Sequence, residues 1–340
     1  MPEGLLDNNQ ELVSFCVYRN IKCVLCNILL EGIRRICLSR IYTRRDFLAA
    51  TSAAVAMQVT KPAYAALSKK MGIHIGYTGI TWLNNQVEEA IQTISSLGFY
   101  GFETFGDVLS HWQEKGGLEV VLEKNHLPLI SAYCTMNLTD PSHRADELVK
   151  AKSWCKLIKK CKGRIFVLGP NPVDRKTFDF SSNKTNILSA LNEIALVVEQ
   201  EGLTPVLHQH TGTCIESKDE TYAVLEAVDT RHLKFGPDVG QLTKGGQDAV
   251  KVVKDFLPIV QHMHLKDYNG KFKSLAGYCP LGQGKVDVPA ILRMMEGRKI
   301  SGMVMVELDD DSKDATLPAP ATLATESRDY LRTLGVKSKM

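Results

Sequence analysis

Between Thr204 and Glu307, four short apolar runs each give way to side chains that can hold a divalent metal. Thr204–Leu207 leads to His208 and His210, and Leu233–Phe235 leads to Asp238. Ile259–Val260 leads to His262 and His264, and Gly302–Val306 to Glu307. Apolar runs of this length, separated by helical patterns, read as buried parallel strands. Polar residues at the carboxyl ends of successive parallel strands meet on one rim, where α/β barrels keep their active sites. The two histidine pairs are each spaced two apart, so both members of a pair point to the same face of their strand. A closed barrel is the arrangement that brings all of these side chains to one mouth.

The rest of the chain fits that expectation. From Met71 onward the pattern alternates strand and amphipathic helix. Strands are expected at Gly72–Tyr77, Tyr100–Phe105, Leu129–Cys134, Arg164–Leu168, Thr204–His208, Leu233–Asp238, Ile259–Leu265 and Gly302–Glu307. Between and after them, helices are expected at Val87–Leu97, Leu118–Lys124, Ala145–Lys160, Thr185–Glu201, Glu220–Ala227, Asp248–Phe256, Val288–Glu296 and Thr322–Leu334. Gly98 and Gly202 are placed as helix stops. Eight such units in one domain predict a (β/α)8 TIM barrel. A doubly wound open sheet is the runner-up, disfavoured because the candidate ligands come from strands five to eight in sequence. Gly282–Asp287, GQGKVD, follows Pro280 and not a strand, so it is not a nucleotide-binding phosphate loop.

Charge and cysteine usage divide the chain. The first 65 residues hold 8 Lys+Arg and 5 Asp+Glu out of totals of 41 and 38, so the remainder is balanced and offers no argument for a nucleic-acid surface. Thr43-Arg44-Arg45-Asp46-Phe47-Leu48 resembles a twin-arginine export signal. A short apolar stretch, Leu48–Val59, and a small-x-small site at Ala63-Tyr64-Ala65 follow it. Residues 1–65 are therefore expected to be a leader and 66–340 the barrel, with a periplasmic or secreted product and no lasting membrane anchor. Past the leader, Cys134, Cys155, Cys161, Cys214 and Cys279 form no regular disulfide spacing and read as core residues.

A lone histidine on an apolar strand is usually a hydrogen-bonded core residue, and a lone aspartate at a strand end usually caps a helix. In combination, so many polar groups at one mouth are costly unless something pairs them. A divalent cation would do so with one neutral histidine of the fifth strand, Asp238, His264 and Glu307. The acidic run after Glu307 is expected to be a solvated loop without chemistry.

HQHTGT, PDVGQ, HMHLKD, PLGQGKVD and VMVELD, in this order, resemble the xylose-isomerase-like barrel superfamily over roughly Met71 to Leu334. That group includes inosose dehydratases, hydroxypyruvate isomerases and ketose 3-epimerases. The resemblance implies His208, Asp238, His264 and Glu307 as metal ligands, His210 as an acid/base and Lys266 as a contact to substrate or an enolate oxygen. Many relatives have Glu where His208 stands, and an imidazole there shifts the preferred ion from Mg²⁺ toward Mn²⁺, Co²⁺ or Zn²⁺. Many also have His where Gln241 stands. Glu103, at the end of strand two, is then the candidate second base, against the alternative of a structural salt bridge. Trp82, Tyr133 and Gln241 are candidate substrate contacts; Arg175 and Lys271 are weaker candidates for a phosphate. The expected activity is isomerisation or epimerisation of a keto-sugar or cyclitol through an enediolate, with dehydration or glycoside elimination as the alternative. A non-catalytic sugar-binding barrel and an endonuclease-like repair enzyme are the competing readings, the second disfavoured by the neutral charge. A small-molecule partner is expected, with no nucleic acid; a homo-oligomer is compatible.

Overall fold

The computed structural model describes residues 71–309 and 317–339. The expected leader and its export signal lie outside the described residues. Eight barrel strands are present: β1 (Ile75–Thr78), β2 (Phe102–Phe105), β3 (Leu129–Met136), β4 (Ile165–Pro170), β5 (Thr204–Leu207), β6 (Lys234–Phe235), β7 (Met263–Leu265) and β8 (Val304–Val306). All neighbouring pairs are parallel, from β6 through β5, β4, β3, β2 and β1 to β8 and β7. Isolated parallel bridges Phe235↔Val260 and Asp238↔His264 join β6 to β7 and close the ring. With helices between the strands, this is the expected TIM barrel.

The helices form where an apolar stripe at helical spacing faces the sheet. Phe180–Gln200 buries Ile187, Leu191, Ile194 and Val198 on one face; full burial of each such side chain stabilises the fold by about 1.5–3 kcal/mol. This helix starts five residues before the expected Thr185 because the Asp179 side chain accepts a hydrogen bond from Ser181 N–H. Gly98 and Gly202, as expected, stand just past helix ends with φ of +81° and +86°. The main core fills the space between strands and helices. Inside the barrel, Ile165, Val167 and Val206 form a separate small cluster against Tyr133. Among the described residues no helix is long and apolar enough to cross a membrane, and all five cysteines are free and buried.

The structure departs from the sequence pattern in four places. Gly106–Gln113 is a helix that follows β2 directly, with no polar loop to announce it. A second unexpected helix, Val239–Lys244, is only six residues long and begins on Asp238. Ile259 ends a 3-10 turn, Leu257–Ile259, that contains Pro258, so β7 starts later than its apolar run. The loop after β7 contains a short antiparallel pair, Asp267–Tyr268 with Tyr278–Cys279.

Candidate metal centre and active site

Strand alternation brings the interior side chains of five strands to one level, and His264 stands at their centre. Its Nε2 is 2.7 Å from Glu103 Oε1, and its Nδ1 is 2.8 Å from Glu307 Oε2. Neither contact is aligned as a hydrogen bond. Asp238 divides its two oxygens. Oδ1 accepts the N–H groups of Gly240 (2.8 Å) and Gln241 (2.9 Å) and so caps the helix Val239–Lys244. Oδ2 faces the interior, 4.0 Å from His208 Nε2 and 3.0 Å from Lys266 Nζ, again with no aligned hydrogen bond. His208 has a hydrogen-bond partner at neither ring nitrogen. Ligand atoms of His208, Asp238 and His264 all lie within 4.8 Å of one another.

Buried polar atoms are almost always paired, so a convergence of unpaired ones calls for a missing partner. Charge calls for the same partner. Four carboxylates are buried here: Glu103, Asp238, Glu307 and Asp309. Lys266, fully enclosed, is the one buried lysine or arginine among the described residues. Its Nζ lies 3.0 Å from Asp238, 2.5 Å from Glu307 and 2.8 Å from Asp309. Even with the His264 imidazole between Glu103 and Glu307 counted as a second positive charge, four carboxylates leave a negative surplus that a divalent cation would offset. The residues present therefore fit a metal, and two imidazoles with carboxylates suit Mn²⁺, Co²⁺ or Zn²⁺ better than Mg²⁺.

The acid–base properties follow from burial and neighbours. Burial, reinforced by His264, holds His208 well below the ordinary imidazole range, so the ring is neutral and one nitrogen offers a lone pair. Burial would also push His264 down, but Glu103 and Glu307 outweigh it and hold this imidazole well above the usual range. Glu103 is the converse: burial would raise it, and His264 and His262 bring it down to about 2. Asp309 is pushed up to about 7 by burial, against the pull of Lys266.

Beside this cluster is a cavity of about 140 Å³ lined by Thr78, Gly79, Ile80, Glu103, Thr104, Phe105, Tyr133, His208, His210 and Glu307. His210 is in the wall, inside a ring of hydrogen bonds. Its Nδ1 lies 2.6 Å from Thr211 O, and Gln241 Nε2 lies 2.6 Å from its Nε2. Gln241 Oε1 in turn accepts from Thr211 Oγ1 at 2.7 Å. The carbonyl requires Nδ1 to carry the hydrogen, so Nε2 is the accepting nitrogen. Tyr133 lies edge-on to His208 with centroids 5.2 Å apart. A Cβ at Gly169 would fall 2.2 Å from the Tyr133 hydroxyl, so glycine there makes room for the ring.

Of the sequence candidates, His208, His210, Glu307, Glu103 and Tyr133 reach the cavity wall, whereas Asp238, His264, Lys266 and Gln241 stand behind it. Trp82 is placed elsewhere: it is buried in the core with its ring edge-on to Tyr77 at 5.9 Å. Lys266 is enclosed by carboxylates and does not face the cavity. Its stem needs Gly240, where a Cβ would approach Lys266 Cβ to 2.7 Å. Arg175 pairs with Glu220 at 2.8 Å and Glu216 at 3.6 Å, on the barrel's own surface. The expectation of a solvated loop after Glu307 is corrected for Asp309, which is buried on Lys266. Its sequence context, three aspartates in a row, hid it. The GQGKVD segment is also explained. The N–H groups of Gly282, Gly284 and Val286, with that of Tyr268, converge on the Asp267 carboxylate, and Asp287 caps the next helix.

Residues 91–334 match the xylose isomerase-like TIM barrel family, and the chain belongs to it. The inosose dehydratase of Clostridium botulinum (strain Alaska E43 / Type E3) is 22% identical over 294 residues, covering 76% of this chain and 96% of that protein. The inosose dehydratase of Geobacillus kaustophilus is 23% identical, covering 76% and 93%. Among solved structures, the fold is shared with 3-keto-D-glucoside 4-epimerase from E. coli (TM-score 0.59, 17% identity, 77% of this chain and 99% of that one). It is also shared with D-psicose 3-epimerase from Clostridium cellulolyticum H10 (0.64, 16%, 78% and 100%). A third neighbour, the IOLI protein, was solved with a bound zinc atom (0.62, 15%, 77% and 98%).

Proposed function

We propose that this chain is a divalent-metal-dependent enzyme that removes a proton from a carbon beside a carbonyl in a keto-sugar or cyclitol and returns one elsewhere, as an isomerase or epimerase. The observation that carries this reading is the set of unpaired ligand atoms on His208, Asp238 and His264, next to a cavity that also exposes His210. His208, Asp238, His264 and Glu307 would hold the ion. When bound, such an ion polarises a carbonyl and offsets negative charge that develops on its oxygen.

The remaining work falls to the protein. His210, neutral and with its accepting nitrogen at Nε2, takes the substrate proton once the substrate displaces the Gln241 amide from that nitrogen. Thr211 O holds the opposite side of the ring, so the imidazole keeps its direction as the proton arrives. Ile80, Phe105 and Tyr133 keep water from the reacting carbon. No lysine or arginine lines the cavity among the described residues, which favours a neutral polyol over a phosphate ester. The twin-arginine-like leader supports a periplasmic or secreted setting, where sugar phosphates are scarce.

The curated relatives favour a second outcome from the same first step. Loss of hydroxide from the carbon beside the deprotonated one gives a dehydratase. Both outcomes are tested by proton NMR in deuterated water, with metal-loaded protein and a panel of ketohexoses and inososes. Solvent deuterium at one carbon of a rearranged sugar marks the isomerase; new enone signals mark the dehydratase. Turnover that leaves every carbon-bound proton in place sinks the reading.

A further inference from the structure

We infer that Glu103 is a positioning residue that fixes which nitrogen of His264 is offered to the metal. It is then neither a second base nor a ligand of a second ion. This rests on the metal reading above. Glu103, His262 and His264 also bring ligand atoms within 4.8 Å of one another, so a second cation is the competing reading. The neighbours of this deeper group decide between them.

His262 Nδ1 accepts the Met303 N–H at 3.2 Å, so the ring carries its hydrogen on Nε2. That Nε2 lies 3.0 Å from Glu103 Oε2, which also accepts the Ser131 hydroxyl. An N–H and an O–H pointing at Oε2 leave no room for a cation on that side. Glu103 Oε1 is left for His264 Nε2, at 2.7 Å. A hydrogen on Nε2 meets a carboxylate there and leaves the Nδ1 lone pair on the side of Glu307, Asp238 and His208. Nδ1 faces a carboxylate as well, Glu307 at 2.8 Å, but on that side an ion would stand between the lone pair and the carboxylate. The opposite tautomer would set its lone pair against Glu103, whose other oxygen is already filled by two donors, and turn an N–H toward the ion. Carboxylates that orient a ligating histidine in this way typically change metal affinity by about 10–100-fold when removed.

The test uses the full chain, with zinc as the probe. Metal content by mass spectrometry and affinity by competition with a chelator are measured for wild type, Glu103→Gln and His262→Gln. One ion per chain is expected in all three. Glu103→Gln should bind about 10–100-fold more weakly, while His262→Gln, further from the ion, should change by less than about tenfold. Histidine ¹⁵N spectra of the zinc-loaded wild type should show His264 protonated at Nε2 with the metal-shifted signal at Nδ1. This reading does not depend on either variant folding. Unchanged affinity in Glu103→Gln, or a metal-shifted Nε2, overturns the inference alone. Two ions in wild type, with one lost in both variants, establishes the second-cation reading instead. A wild type that binds no zinc overturns the metal reading and this inference together.

Discussion

Lys266→Met removes the one buried ammonium among the described residues and keeps most of the volume. In the wild type that ammonium touches Asp238, Glu307 and Asp309 at 2.5–3.0 Å, with no exposure to water. Removing one partner of a buried ion pair costs about 3–5 kcal/mol, because the other charge is left without compensation. Here three carboxylates lose their partner, but Asp309, already pushed up to about 7, can take a proton and relieve part of the cost. The middle of the range, about 4 kcal/mol, is a large share of a total stability of roughly 5–15 kcal/mol. For a domain of this size each kcal/mol moves Tm by about 2–4 °C, so the chelated variant should melt about 6–20 °C below chelated wild type. Saturating zinc or manganese should recover much of the difference, because the ion supplies the charge that the lysine did. Differential scanning calorimetry on both proteins, with chelator and with metal, gives the four values needed. A chelated variant that melts within about 2 °C of wild type would refute the reasoning, since a buried charge left uncompensated cannot cost so little.

His264→Ala should lose the bound ion by mass spectrometry, whereas His210→Ala should keep it and lose turnover by about 10²–10⁴-fold. Equal metal loss in both would mean that the two fifth-strand histidines exchange roles. Glu103, held at about 2 in the fold against an ordinary 4.5, contributes stability that is present above pH 4.5 and lost as pH falls toward 2. Tm of the chelated protein should therefore drop on acidification through that window. Glu103→Gln should flatten this acid limb, and a limb of unchanged depth in the variant would assign it to other carboxylates.

The fold and most of the site were legible because two periodicities carried the information. Apolar runs of strand length end in candidate ligands, and histidines two apart share a face, so the sequence pattern alone brings His208, His210, Asp238, His264 and Glu307 to one rim. What escaped has physical reasons. Helix Val239–Lys244 is too short for a 3.6-residue pattern to show, and its cap, Asp238, had already been assigned to the metal. Trp82 looked like a sugar platform because an aromatic near a strand end reads the same whether it faces the mouth or the core. Lys266 was expected at the substrate, but the three carboxylates around it come from two other strand ends. One-dimensional spacing does not report such a count of buried charges. Asp309 was hidden by two identical neighbours, and only burial separates it from a solvated run.

Asp238 serves two ends at once. One of its oxygens starts a helix, and the other faces the barrel interior, where the proposed ion would sit. A descendant of this barrel that abandoned chemistry would still need that aspartate to begin Val239–Lys244, and with it the backbone that carries Gln241. Its survival in a relative would say nothing about activity. His208 has no such second employment, since neither ring nitrogen bonds to the protein. Drift would erase it first, so a metal-binding side chain after the fifth strand, histidine or glutamate, is a better marker of a working enzyme than the aspartate.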